Sequence, residues 1–216
     1  MNIQDSIIFF MEILGTIAFA ASGAMVGIRK RMDIFGICVL GVVTAVGGGM
    51  TRDVILGKLP SALEKPVYVV VSVITSLAIF VLLYIKHDLL SGRLGTFYDK
   101  AMLIMDSVGL GIFTSLGVMS GIDNGYPDNS FLLVFIGMLT GVGGGLMRDM
   151  MAGGEPYIFV KHIYACASLV GALGCVEIYR EWGRLPAVFI GAFIVMAIRF
   201  LAAHYRWNLP HPKSTS

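Results

Sequence analysis

Seven apolar stretches, near residues 7–28, 34–50, 67–85, 101–121, 131–147, 162–179 and 186–204, leave this chain of 216 residues room for little besides a helical bundle in lipid. A bilayer core is crossed by roughly 20 predominantly apolar residues in a helix. The helix also satisfies its own backbone polar groups, which hydrocarbon cannot do. Composition agrees, since 56% hydrophobic residues, 14% charged residues and a mean hydropathy of +0.82 exceed what a soluble core of this size needs. The expected fold class is all-α integral membrane with seven transmembrane helices, forming a single transmembrane domain over 1–205 followed by a tail over 206–216. The second and fifth stretches are short before each meets three glycines and Arg-Asp, so both are expected to continue beyond as broken helices. The start, Met1-Asn2-Ile3-Gln4-Asp5, has no basic region and runs into an apolar stretch too long for a secretory signal, which reads as a retained first helix.

Threading seven helices sorts the basic residues onto alternate sides. One side receives Arg29, Lys30, Arg31, Lys86, Arg93, Lys100, Arg148, Lys161, Arg206 and Lys213; the other receives only Arg52, Lys58, Lys65, Arg180 and Arg184. The loop from Ile122 to Ser130 holds Asp123 and Asp128 and no basic residue. The positive-inside rule puts the richer side in the cytoplasm, with the N-terminus outside and the C-terminal tail inside. Arg199 is expected to snorkel toward that cytoplasmic face beside His204 and Arg206.

Internal repetition is the most specific signal. Residues 47–60 read G-G-G-M-T-R-D-V-I-L-G-K-L-P and residues 143–156 read G-G-G-L-M-R-D-M-M-A-G-G-E-P. At the same offset Gly41 matches Gly137, Thr44 matches Thr140, Val46 matches Val142, Lys65 matches Lys161 and Tyr68 matches Tyr164. Upstream, after a shift of two residues, Glu12, Gly15, Phe19, Gly23 and Gly27 align with Asp106, Gly109, Phe113, Gly117 and Gly121. The duplication relates repeat one, about 7–85, to repeat two, about 101–180, and leaves a seventh helix at about 186–204 outside it. An odd number of spans per copy inserts the copies with opposite orientations, a plan recurrent in transport proteins with the site near the repeat interface.

The glycine triplets Gly47, Gly48, Gly49 and Gly143, Gly144, Gly145 lower helix propensity by about 1 kcal/mol per residue relative to alanine and bare the backbone. One expectation is a kink or local unwinding, tolerable at membrane depth only where carbonyls face protein or water. The alternative is close helix packing, a common use of small residues in membranes. Arg52 and Arg148 are costly near the bilayer core and should face the bundle, water or the interface. At 1.5 Å per residue Arg52 lies roughly 27 Å along its helix, near the outer boundary, with Arg148 equivalently near the inner one. Glu12 and Asp106 fall at matching depths, which pairs Glu12 with Arg52 and Asp106 with Arg148, Asp53 and Asp149 being the rival partners. Snorkelling of both arginines to headgroups is the structural alternative.

Two G-G-G-x-x-R-D segments inside inverted three-helix repeats, with a seventh helix added, resemble the prokaryotic branch of the trimeric intracellular cation (TRIC) channel family over almost the whole chain. The resemblance implies a homotrimer in the plasma (inner) membrane of a prokaryote. Each subunit would hold its own pore, lined largely by helices one, two, four and five, bent at the glycine triplets and passing monovalent cations, chiefly potassium. The bacterial family also carries a label of glycine transporter, so a secondary transporter of a small zwitterion is the alternative. A channel would use kink carbonyls and the hydroxyls of Thr44, Thr140, Ser22 and Ser115 to replace part of an ion's hydration. A transporter would rock one repeat against the other. Membrane lipid is the remaining expected partner; no cofactor, metal or nucleic acid is implied.

Enzymatic function is not expected. Cys38, Cys166 and Cys175 are far apart, and His87, His162, His204 and His211 sit near span ends or tails without a nucleophile–base set. For the topology, a cysteine introduced by Asn124→Cys should react with an impermeant thiol reagent from outside, and Gly92→Cys only from inside; reversed labelling at both positions would overturn the orientation.

Overall fold

The computed structural model describes residues 3–85, 93–156 and 163–207, with the side chains of 93–97 outside that description. Lys86, His87, Gly92, Lys161, His162, His211, Lys213 and the rest of the tail from 208 therefore lie outside the described residues, as does the side chain of Arg93. Among the described residues eight helices follow in order: α1 (Ile3–Arg29), α2 (Ile34–Ile55), the short α3 (Ser61–Glu64), α4 (Val67–Ile85), α5 (Arg93–Asp123), α6 (Ser130–Met151), α7 (Tyr164–Trp182) and α8 (Arg184–Tyr205). Among the described residues there is no strand. Six helices are long and apolar enough to cross a membrane. The exception among the long ones is α7, whose 19 residues carry Glu177, Arg180 and Glu181 in the last turns.

Local chemistry starts and stops the equivalent helices alike. Asp33 caps α2 by accepting from the Gly36 amide at 2.7 Å, and Asn129, at the repeat-equivalent position, caps α6 by accepting from Leu132 at 3.0 Å. Both helices end on glycines with positive φ, Gly57 at 71° and Gly153 at 62°, a conformation that costs glycine little.

Helical backbone runs unbroken through both triplets, from Ile34 to Ile55 and from Ser130 to Met151. The local unwinding expected there does not occur, because the glycines serve a tight crossing. A Cβ on Gly48 would overlap the Thr140 carbonyl oxygen, and one on Gly144 would overlap the Thr44 carbonyl oxygen. Gly143 faces the Gly48 Cα as well. The backbones of α2 and α6 thus touch directly, and contact between bare helices outweighs the propensity lost by each glycine.

That crossing also fixes the orientation of the repeats. Gly48 meets Thr140 while Gly144 meets Thr44, so moving forward along one helix moves backward along the other. The two equivalent helices are antiparallel. The same holds for α1 and α5, where Gly15 faces Phe113 and Gly109 faces Phe19, and the Phe19 and Phe113 rings stack with centroids 5.3 Å apart. Within each repeat the packing is repeated: α1 on α2 and α4 with α2 on α4, then α5 on α6 and α7 with α6 on α7. The added helix α8 packs chiefly on α5 and α7, so it mainly supports repeat two.

The buried core runs along these contacts, with Phe19, Leu110, Val142, Ala167 and Val195 joining both repeats to α8. By contrast α4 presents Val70, Ile74, Val81 and Leu82 outward. The crossing predicts that Gly48→Leu and Gly144→Leu each lower stability by at least about 2–3 kcal/mol, the scale of overpacking, because the opposing atom is backbone and cannot rotate away. Gly49→Ala should be near neutral, since its nearest neighbour would be Arg52 Nη2 at 3.7 Å. Thermal melting of the purified protein in detergent reads both effects, and an unchanged midpoint in the leucine variants would remove the crossing from its central role.

Candidate functional site

The two Arg-Asp dipeptides occupy matching turns near the ends of α2 and α6, and each arginine reaches back to its neighbour. Arg52 Nε donates to Asp53 Oδ1 at 2.8 Å, and Arg148 Nε donates to Asp149 Oδ1 at 2.8 Å. Beyond that shared element the repeats differ.

In repeat two the site is closed. Arg148 is fully buried, and its Nη1 donates to Asp106 Oδ1 at 2.5 Å and to Ser22 Oγ at 2.6 Å. The Tyr164 hydroxyl lies 3.5 Å from the same carboxylate oxygen. Arg199 enters from α8, with Nη2 3.6 Å from Asp106 Oδ2 and its guanidinium 4.7 Å above the Tyr164 ring centroid. At 2% exposure Arg199 does not snorkel; it is a buried member of the cluster, drawn inward by the Asp106 charge and the ring face. Two arginines against Asp106 and Asp149 leave the cluster balanced in formal charge. Burying such ions is tolerable only with this density of pairing and hydrogen bonding.

In repeat one the site is open. Glu12 does not pair with Arg52; its carboxylate accepts from the Tyr68 hydroxyl, while Arg52 stays with Asp53. Asp53 is the more occupied group: its Oδ2 also accepts from the Ser61 amide at 2.8 Å and the Ser61 hydroxyl at 2.9 Å, and Lys58 Nζ stands 3.4 Å from Oδ1. Arg52 and Glu12 line one half-open pocket with Thr16, Gly49, Tyr68 and Phe113. The floor formed by Phe113 and Leu116 comes from α5 of the other repeat.

The hydroxyls anticipated along a path are largely committed. Thr44 and Thr140 donate to Leu40 and Ile136 carbonyls one turn back at 2.6 Å and are buried at the α1–α2 and α5–α6 contacts. Ser22 serves Arg148, and Ser115 is buried against Gly191 of α8. The triplet glycines Gly47 and Gly145 border Met147 and Tyr164. Tyr68, Tyr164, Ser61 and Arg199 complete the two sites although sequence reasoning assigned them no role there. The tyrosines carried a usable signal, because they occupy equivalent positions in the repeat. Arg199 carried none, since α8 lies outside it. Among the described residues no cluster of metal-ligating side chains is present.

A family profile described as Glycine transporter matches the chain twice, over residues 9–84 and 103–180, one match for each repeat. The chain is 36% identical over 211 residues to YadS, an inner membrane protein of Escherichia coli K12, covering 95% of each chain. It is 34% identical over 204 residues to a membrane protein of Deinococcus radiodurans, covering 93% of this chain and 90% of that one. Among solved structures, one titled as the structural basis for conductance through TRIC cation channels matches with a TM-score of 0.82 at 32% identity, covering 96% of this chain and 98% of that chain. The TRIC trimeric intracellular cation channel orthologue from Rhodobacter sphaeroides matches with a TM-score of 0.82 at 28% identity, covering 94% and 100%.

The difference between the two sites generates a prediction. Asp106→Asn removes one of the two carboxylates that balance the buried Arg148 and Arg199 and should cost about 3–5 kcal/mol, the scale for removing one partner of a buried pair. Glu12→Gln loses no ion pair and should cost about 1 kcal/mol. Double-mutant cycles on thermal stability should give strong coupling between Asp106→Asn and Arg148→Gln and almost none between Glu12→Gln and Arg52→Gln. Equal coupling in the two repeats would contradict the described asymmetry.

Proposed function

We propose that this chain, which belongs to the Glycine transporter family and has the TRIC channel fold, is a channel for monovalent cations, chiefly potassium, with a conduction path inside each subunit. The observation that carries the reading is the likeness, over nearly the whole chain, to solved structures described as TRIC cation channels. The path enters at the Glu12–Arg52 pocket, crosses the level of the Phe19–Phe113 stack and the α2–α6 crossing, and leaves past Arg148. The described state is then closed, because Arg148 and its partners fill the second mouth. Opening requires α2 and α6 to separate or bend at the triplets, where the glycines carry no side chains and where the Thr44 and Thr140 hydroxyls could turn toward an ion.

The assembly proposed is a homotrimer in the inner membrane, N-terminus outside and tail in the cytoplasm. That orientation needs α7 to cross as well, as the sixth of seven spans in chain order, with Glu177, Arg180 and Glu181 at the outer interface. The outward apolar face of α4 then meets lipid or another subunit. Neither an enzymatic role nor a nucleic-acid partner forms part of the reading.

Secondary transport of a small zwitterion is the second reading, favoured by the description of the family profile. Purified protein in a planar bilayer under a potassium gradient separates the two: discrete ohmic current steps are expected, and electrical silence combined with saturable glycine counterflow in liposomes would give the transporter reading instead.

A further inference from the structure

The two repeats place the same three groups, an acid on the first helix, a tyrosine on the third and an arginine after the glycines, in two different arrangements. In repeat two all three are assembled. Asp106 is within reach of Tyr164, and its carboxylate sits on a terminal nitrogen of Arg148. In repeat one the acid and the tyrosine are joined, Glu12 to Tyr68, but among the described residues the terminal nitrogens of Arg52 donate to no carboxylate. Repeat two is therefore a template, showing that the guanidinium held by its neighbouring aspartate through Nε presents Nη to one further carboxylate. In repeat one that position is open to the pocket.

The pocket is lined by groups of both signs, Arg52 and Glu12. Asp53 is occupied by Arg52, Ser61 and Lys58 and is 1% exposed, so it offers little to a ligand. Glu12 has a tyrosine hydroxyl and, among the described residues, no cationic partner within 4 Å. A bare anion at Arg52 would leave Glu12 unmatched, and a bare cation at Glu12 would leave the Arg52 terminal nitrogens unmatched. A small zwitterion satisfies both, with its carboxylate on the planar donor fork of the guanidinium and its ammonium on the Glu12 carboxylate. Ala45, Ala62, Phe113 and Leu116 close the other sides with apolar surface, which restricts the ligand to a small α-amino acid.

We infer that the Arg52–Glu12 pocket is a binding seat for a small amino-acid zwitterion, Arg52 taking the carboxylate and Glu12 the ammonium. The inference rests on the reading of this pocket as a mouth of the transport path, and it holds for either mode of transport. In a channel, the bound zwitterion stands in the entrance and reduces current; in a transporter it is the cargo.

Calorimetric titration of the full-length protein in detergent tests the seat without reference to flux. Glycine should bind saturably. Glycinamide, which lacks the carboxylate, and acetate, which lacks the ammonium, should each bind at least about tenfold more weakly, as expected for losing one charge-assisted contact. Arg52→Gln should bring glycine down to the affinity of glycinamide, and Glu12→Gln should bring it down to that of acetate. Equal binding of glycine and glycinamide would reduce the pocket to a cation site at Glu12, and equal binding of glycine and acetate would reduce it to an anion site at Arg52. Either result overturns the proposal, as does the absence of any glycine heat from protein that elutes as a single species. The ligand panel on the unmodified protein decides the matter even where a variant fails to fold. Potassium current in a bilayer remains a separate measurement, so a failed seat and a failed channel reading are told apart.

Discussion

The backbone contact between α2 and α6 is the constraint on which the rest depends. With Gly48 against the Thr140 carbonyl and Gly144 against the Thr44 carbonyl, the two helices come closer than any side chain would permit. Without a hydrophobic drive between helices in lipid, such packing supplies much of the cohesion. It lies on the pseudo-twofold axis, beside the stacked Phe19 and Phe113, and holds the two repeats in antiparallel register. The Arg-Asp turns one helical turn later are carried to opposite sides of the crossing by this one contact.

From that symmetric centre the structure departs from symmetry at its ends. The acids differ by one methylene, glutamate in repeat one and aspartate in repeat two, yet the shorter side chain is the one that reaches its arginine. The cause is the surroundings. Ser22 of α1 accepts from Arg148, and α8 adds Arg199 on the far side of Asp106, so the second site is enclosed by groups that the first site lacks. Among the described residues no equivalent of α8 packs on repeat one. A helix outside the duplication thus helps to enclose one site while the other remains a pocket.

Physical chemistry also explains where reasoning from residues alone went astray. Glycine propensity is a local quantity, and it pointed to broken helices at both triplets. Those helices are continuous because each triplet faces another backbone across the axis, a neighbour about a hundred residues away in sequence. Position near a span end suggested that Arg199 snorkels, whereas a buried carboxylate on α5 and an aromatic face on α7 draw it inward. Matching depth alone paired Glu12 with Arg52, but depth does not specify rotamer, and Tyr68 competes for the carboxylate.

By itself the sequence determined a helical membrane protein, its duplication, and the inverted relation of its halves, because span length, repeat offset and the parity of spans follow from one-dimensional pattern. It also placed Asp106 and Arg148 at matching depth, since helical rise converts position to height. Tertiary structure alone decided that the glycines pack rather than break, that Arg199 joins Asp106, and that one repeat closes its acid onto arginine while the other leaves the pair apart. Those outcomes depend on which faces of distant helices meet, and the energy of a buried charge is set by neighbours that no local pattern encodes.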